Sequence, residues 1–189
     1  MPIGKSIGYQ ALVLTDHETD GGVKRFISYA KTQGILTISG VEFYGMEDGL
    51  EIHLVALDYD WLEFRKNVFK GPEAMAMAQP HPPAEQVIMI VRKAGGVVGI
   101  AHPNTRMHLV EQLVGYGMNG IEVSHPSFAS TGMRTGARTL EAAEKFNLYH
   151  CGGTDHTGPM NGCGGIRAIP VFDGITEEEF TVLRERRLG

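Results

Sequence analysis

Short apolar runs that end in metal-ligand residue types constrain this chain more than any other feature. Ala11-Leu12-Val13-Leu14 leads into Thr15-Asp16-His17, and Gly40-Val41 leads into Glu42. Ile100-Ala101 leads into His102-Pro103, and Gly153-Thr154 leads into Asp155-His156. A continuous apolar run of this length reads as a strand buried on both faces. Between the runs lie segments with helical periodicity. In 21–33, Val23, Phe26, Ile27 and Ala30 recur at i, i+3, i+4 and i+7, while Lys24, Arg25 and Lys31 face away. Strands are expected at Leu36 to Tyr44, Ile52 to Leu57, Val97 to Ala101 and Gly120 to Ser124, with another entering Gly152-Gly153. Helices are expected at 84–94, capped by Gly95-Gly96, around Leu109, Val110, Leu113 and Val114, and at about 134–147. A last helix starts at Thr176-Glu177-Glu178-Glu179. Strands alternating with helices of about 10–15 residues predict an α/β fold with βαβ units and a largely parallel sheet.

Length and charge narrow the class. The 189 residues suit one domain spanning 1–189, large enough to bury a core without disulfides or structural clamps. The formal net charge of −5, with no basic block, argues against a nucleic-acid groove or an anionic membrane surface as partner. No apolar run approaches the ~18 residues of a membrane-spanning helix. Two cysteines are too few for a disulfide scaffold, which makes the cytoplasm the default compartment. Glycine, at 25 residues, is about twice as frequent as the usual share of roughly 7%. Many glycines fall in pairs at the edges of the apolar runs, where turns and helix ends lie. The proline-broken stretch 66–83 reads as a surface connection.

The carboxyl ends of parallel strands gather at one rim, so His17, Glu42, His102 and Asp155 are expected to converge there. His53 opens its strand instead of ending it. It reaches the same rim if the strands flanking Gly45-Met46-Glu47-Asp48-Gly49 form an antiparallel hairpin, with directly opposed side chains about 5 Å apart. A single strand-end histidine is more often structural than ligating; four such ends together point to a metal site. Imidazole with carboxylate suits Mn, Zn or Fe. Arg106, just after Ala101-His102-Pro103, is a candidate phosphate anchor, and His125 a candidate substrate contact or proton donor. Arg134 and Arg167 are unranked alternatives, and His81, His108 and His150 read as surface or structural. Gly4-Lys5-Ser6 lacks the strand and first glycine of a phosphate-binding loop. Cys151, Cys163 and the nine methionines read as packing or loop residues.

Residues 8–22, Gly-Tyr-Gln-Ala-Leu-Val-Leu-Thr-Asp-His-Glu-Thr-Asp-Gly-Gly, resemble a motif of the PHP (polymerase and histidinol phosphatase) phosphoesterase family. Ser39-Gly40-Val41-Glu42 resembles the family's Gly-Ile-Glu motif, and Glu51-Ile52-His53-Leu54 its following histidine strand. Gly95-Gly96-Val97-Val98-Gly99-Ile100-Ala101-His102-Pro103 is similar to its Ala-His-Pro motif, and Gly120-Ile121-Glu122-Val123 and Gly152-Gly153-Thr154-Asp155 follow in the family's order. The resemblance implies a distorted (β/α)7 barrel with a two- or three-metal centre that hydrolyses phosphate esters of small molecules. It also implies that Glu42 bridges two ions, with His53 and His102 on one and His17 on another. The chain departs from the pattern in two places. Nothing in Met1 to Ile7 supplies the family's His-x-His, so the first barrel strand is expected to be missing and the domain N-terminally incomplete. That would leave open sheet edges inviting homo-oligomerisation. The closing Asp-x-His is replaced by Asp155-His156, with His156 as a substitute ligand. Two alternatives stand beside the hydrolase: a catalytically silent PHP-like domain that binds a ligand or partner, and a metallohydrolase of another barrel family that cleaves C–N bonds.

Overall fold

The structure is a computed structural model that describes residues 10–60, 62–64, 81–125 and 136–153. Five strands form one sheet in chain order: β1 (Gly40–Glu47), β2 (Leu50–Leu57), β3 (Val97–Ile100), β4 (Gly120–Ser124) and β5 (Tyr149–Gly152). The helices are α1 (Val23–Thr32), α2 (Ala84–Lys93), α3 (Val110–Gly115) and α4 (Ala137–Phe146), and a 3₁₀ turn, Asn104–Leu109, leads into α3. Asp155, His156, Arg134, Arg167, Cys163, most of 66–83 and the helix expected from Thr176 lie outside the described residues. No helix among the described residues is long and apolar enough to cross a membrane.

The mixed α/β character follows the expectation; the sheet's directions do not. β1 and β2 pair antiparallel, as do β2 and β3, and only β3–β4 and β4–β5 are parallel. The first reversal has a local cause. Asp48 and Gly49 both take positive φ, 50° and 74°, and turn the chain in two residues, too few for a crossover helix. Among the described residues the sheet stays open; closure into a seven-stranded barrel is not formed by them.

Strand alternation sorts the sheet into two faces. Val41, Phe43, Ile52, Leu54, Ala56, Val98, Ile100, Ile121 and Val123 point to one side. There they pack against Val87, Ile88 and Val91 of α2, Leu113 of α3 and Ala143 of α4 in the main core. The opposite face carries a smaller apolar cluster, Val55, Leu57 and Ala101 with Ile38. Beside it lie the polar residues Glu42, Tyr44, His53, Glu122 and Ser124. α2 ends as expected at its glycine pair. Gly95 takes φ +77°, its N–H donates to Arg92 O (3.0 Å), and the N–H of Gly96 donates to Val91 O (3.0 Å). That bonding is a Schellman cap, which needs a residue tolerant of left-handed φ.

The first expected strand, Ala11 to Leu14, survives only as a bridge between Ala11 and Leu36, and a second bridge joins His17 to Glu42. This segment nevertheless fills the outer edge of β1. The N–H of Glu42 donates to Asp16 O (3.2 Å), that of Glu18 to Glu42 O (2.8 Å), and that of Met46 to Pro82 O (2.8 Å). The N–H of Tyr44 donates to Glu18 Oε1 (2.5 Å). The open edge expected from the missing strand is therefore occupied on the β1 side.

Candidate metal centre

Glu42 sits on the polar face of β1, with its side chain 12% exposed. His53 lies across the hairpin, but not directly opposite: Tyr44 faces His53 in the ladder, and Glu42 faces Val55. The two are diagonal neighbours on one face, within reach of long side chains. His53 Nδ1 lies 2.8 Å from Glu42 Oε1. The bridge of residue 17 to the edge of β1 brings His17 Nε2 to 3.5 Å from the same oxygen. His102, just past the end of β3, places its Nε2 at 3.5 Å from it as well. Three imidazoles from three separate segments thus meet one carboxylate oxygen.

Two opposing effects set the state of that carboxylate. Burial would raise its pKa. Hydrogen bonds with His102 and His53, and the charges of His17 and His53, outweigh this and hold it at about 2. Glu42 is ionised at neutral pH.

Ligand atoms of His17, Glu42 and His53 all lie within 4.8 Å of one another. Donors sharing an ion through bonds of ~2.1 Å stand roughly 3–4 Å apart, so the spacings of 3.5 Å around Glu42 Oε1 suit a first-row divalent cation. A carboxylate flanked by imidazole nitrogens is also the donor chemistry that Mn, Zn and Fe accept. The residues present fit such a group.

The surroundings hold these donors from outside. His102 has φ +29°, an uncommon backbone state for a side-chain-bearing residue, and its N–H donates to Glu122 Oε2 at 2.6 Å. His125 is buried, and its ring centroid is 5.0 Å from that of His102. Tyr44 stacks among the imidazoles, with centroids 4.7 Å from His53, 4.8 Å from His81 and 5.2 Å from His17. Burial and the carboxylates Glu42, Glu51 and Glu18 push its phenol pKa up. His81, read from sequence as surface or structural, is drawn beside the cluster: its Nε2 lies 3.2 Å from Glu51 Oε2, while Glu51 Oε1 is 3.8 Å from His53 Nε2. Arg106 is on the 3₁₀ turn after His102-Pro103 and donates to Thr105 Oγ1 at 2.5 Å. Burial first, then Glu122 and Glu42, raise the thiol pKa of Cys151 well above its ordinary value, in keeping with a packing residue and not a nucleophile.

Sequence reasoning gave no role to Tyr44, Glu18, Glu51 or Glu122. A signal existed for Tyr44, which shares a face with Glu42 by the period-two rule. None existed for Glu18 and Glu122, whose carboxylates accept backbone N–H groups distant in the chain.

No protein-family model and no curated protein matches the sequence. Solved structures do match. A protein from Bifidobacterium adolescentis assigned as a metal-dependent phosphoesterase superposes with a TM-score of 0.69 at 17% identity, over 97% of this chain and 88% of that one. A two-domain protein from Bacteroides vulgatus containing a predicted PHP-like metal-dependent phosphoesterase matches with a TM-score of 0.51 at 18% identity, over 79% of this chain and 44% of that one. The chain has a PHP-like fold. An amidohydrolase from Chromobacterium violaceum, solved with bound sulfate and no metal, matches with a TM-score of 0.68 at 18% identity, over 98% of this chain and 89% of that one. Within the PHP-like sheet, the imidazole–carboxylate cluster occupies the face opposite the one that α2, α3 and α4 cover.

Proposed function

We propose that this protein is a metal-dependent hydrolase acting on phosphate esters of small molecules, built as one domain over residues 1–189 and closing into a distorted (β/α)7 barrel. The observation that carries the reading is the meeting of His17, His53 and His102 at Glu42 Oε1. These four residues would hold divalent ions, Mn, Zn or Fe, with Asp155 and His156 adding donors from the segment after β5. Such ions supply Lewis-acid polarisation of a phosphoryl group and a more acidic water for attack on phosphorus.

The remaining roles belong to the chain's own side chains. Glu42, ionised and largely screened from solvent, contributes negative charge that draws cations to the polar face. His125, next to His102, donates a proton to the departing ester oxygen. Arg106 turns from Thr105 to pair with the phosphate through its guanidinium fork. Substrate entry is from the side of His17, whose side chain is 42% exposed against 22% for His53. The setting proposed is cytoplasmic.

The test is hydrolysis of p-nitrophenyl phosphate by metal-free protein titrated with Mn²⁺, Zn²⁺ or Fe²⁺. Turnover that requires metal and disappears in His102→Ala supports the hydrolase. The Chromobacterium violaceum likeness favours one second reading, hydrolysis of C–N bonds. Cleavage of amides with no cleavage of phosphate esters would select it. Stoichiometric metal with no turnover on either class would select a silent ligand-binding domain.

A further inference from the structure

Glu122 is a buried carboxylate, 5% exposed, at the middle of β4. It touches the ends of both neighbouring strands. On the β3 side, its Oε2 accepts the N–H of His102 at 2.6 Å, across 20 residues of sequence. On the β5 side, its Oε1 fills the space where Gly153 lacks a side chain: a Cβ on Gly153 would overlap that oxygen, and would stand 3.2 Å from His125 Cδ2. The backbone of Gly153 is in turn anchored by its N–H donating to Ser124 O at 2.9 Å. A buried carboxylate needs such a donor, since leaving it unpaired inside the fold is costly.

The residue it holds on the β3 side is the one with φ +29°. A backbone state of that kind persists only where its surroundings over-determine it, and such states cluster at functional sites. Without the bond to Glu122, His102 would lose the contact that opposes its return to negative φ, a change that swings the imidazole away from Glu42.

We infer that Glu122 is a positioning residue of the metal centre, clamping His102 in its left-handed conformation while its second oxygen sets the path of the chain at Gly153. This rests on the reading of His102 as a metal donor. Glu122 acts through backbone and not as a ligand. Gly153, against which its other oxygen packs, stands two residues before Asp155 in the sequence.

The test uses Co²⁺ as the metal probe on the full chain, following its visible absorption bands on titration, with circular dichroism establishing that each variant is folded at the temperature used. Glu122→Ala and Gly153→Ala should each lower Co²⁺ affinity by roughly 10- to 100-fold, the usual loss when an outer residue that orients a ligand is removed. Glu122→Gln, which keeps an acceptor oxygen, should retain most of the affinity. A role in stability alone would lower the melting temperature of the variants and leave Co²⁺ affinity at the wild-type value; that result overturns the inference. If Glu122→Ala does not fold, amide hydrogen exchange on the wild-type chain still decides: the His102 N–H should be strongly protected, and exchange at the rate of an open loop overturns the clamp. A wild-type chain that takes up no Co²⁺ overturns the metal reading itself, an outcome distinct from the variants matching a wild type that binds.

Discussion

Glu18 Oε1 accepts the main-chain N–H of Tyr44 at 2.5 Å, so that a side chain occupies the position a neighbouring strand's carbonyl would take. Glu18 itself has φ +55°, and its own N–H donates to Glu42 O at 2.8 Å. Two bonds therefore fasten the residue after His17 to the strand that carries Glu42. Glu18→Ala leaves the Tyr44 N–H without this acceptor and should destabilise the chain by ~1–3 kcal/mol. Glu18→Gln should cost much less. Urea unfolding of both variants checks this, and equal losses would count against the bond's importance.

Metal should stabilise the folded chain. An ion that binds only the native state adds about 2.7 kcal/mol at a free concentration 100 times its dissociation constant. Wild-type protein should therefore melt at higher temperature with Mn²⁺ or Zn²⁺ and revert on addition of EDTA. His53→Ala and Glu42→Gln should show no such shift, because each removes a donor from the cluster.

The depressed pKa of Glu42 has a definite consequence at low pH. Burial opposes ionisation, yet the imidazoles win and the folded value falls from 4.5 to about 2. The folded state thus binds the proton more weakly than the unfolded chain. The stabilisation is fully present above about pH 4.5 and is lost as pH falls toward 2. In metal-free protein, the stability difference between wild type and Glu42→Gln should be constant at higher pH and shrink across that window. Urea midpoints measured from pH 6 down to 2.5 provide the check, and a difference that grows on acidification would contradict it.

The left-handed backbone at His102 separates two substitutions that look alike. Glycine tolerates φ +29° and alanine does not, so His102→Gly should be more stable than His102→Ala by about 1 kcal/mol, although both lose the imidazole. Thermal unfolding of the pair without metal isolates backbone strain from ligand loss.

Gly99 and Gly120 face one another where β3 and β4 run parallel. A Cβ on Gly99 would sit 2.7 Å from Gly120 C and 2.9 Å from Gly120 O, both backbone atoms that cannot step aside. Gly99→Ala should cost ~1–3 kcal/mol or more through overpacking. It should also weaken metal binding, since His102 leaves the end of the same strand.

Much of this was legible in the sequence. The i, i+1, i+4 spacing of Val87, Ile88 and Val91, with Gly95-Gly96 behind, marked α2 and its stop, and the five buried residues of β4 coincide with the expected strand. The hairpin joining Glu42 to His53 was inferable from turn residues alone. Its register was not, because a diagonal and a direct pair use the same residues and differ only in how the turn closes. Sheet direction was misread for a related reason. Periodicity reports where a strand lies but not which way its neighbour runs, so the sheet reads as largely parallel, whereas β1–β2 and β2–β3 are antiparallel. Ala11 to Leu14 had strand composition, and among the described residues its ladder partner is Leu36 alone, which reduced it to a bridge. The supporting carboxylates were hidden because Glu18 and Glu122 grip main-chain amides 26 and 20 residues away, and a backbone amide leaves no mark in sequence.

Along β1, the amides of Glu42, Tyr44 and Met46 are all spoken for, by Asp16, Glu18 and Pro82. A second copy attempting to lengthen the sheet on this flank would first have to peel away the very stretch that delivers His17. Assembly by strand addition there and cation capture are thus mutually exclusive, and loading the centre with metal should itself guard the molecule against that route to aggregation.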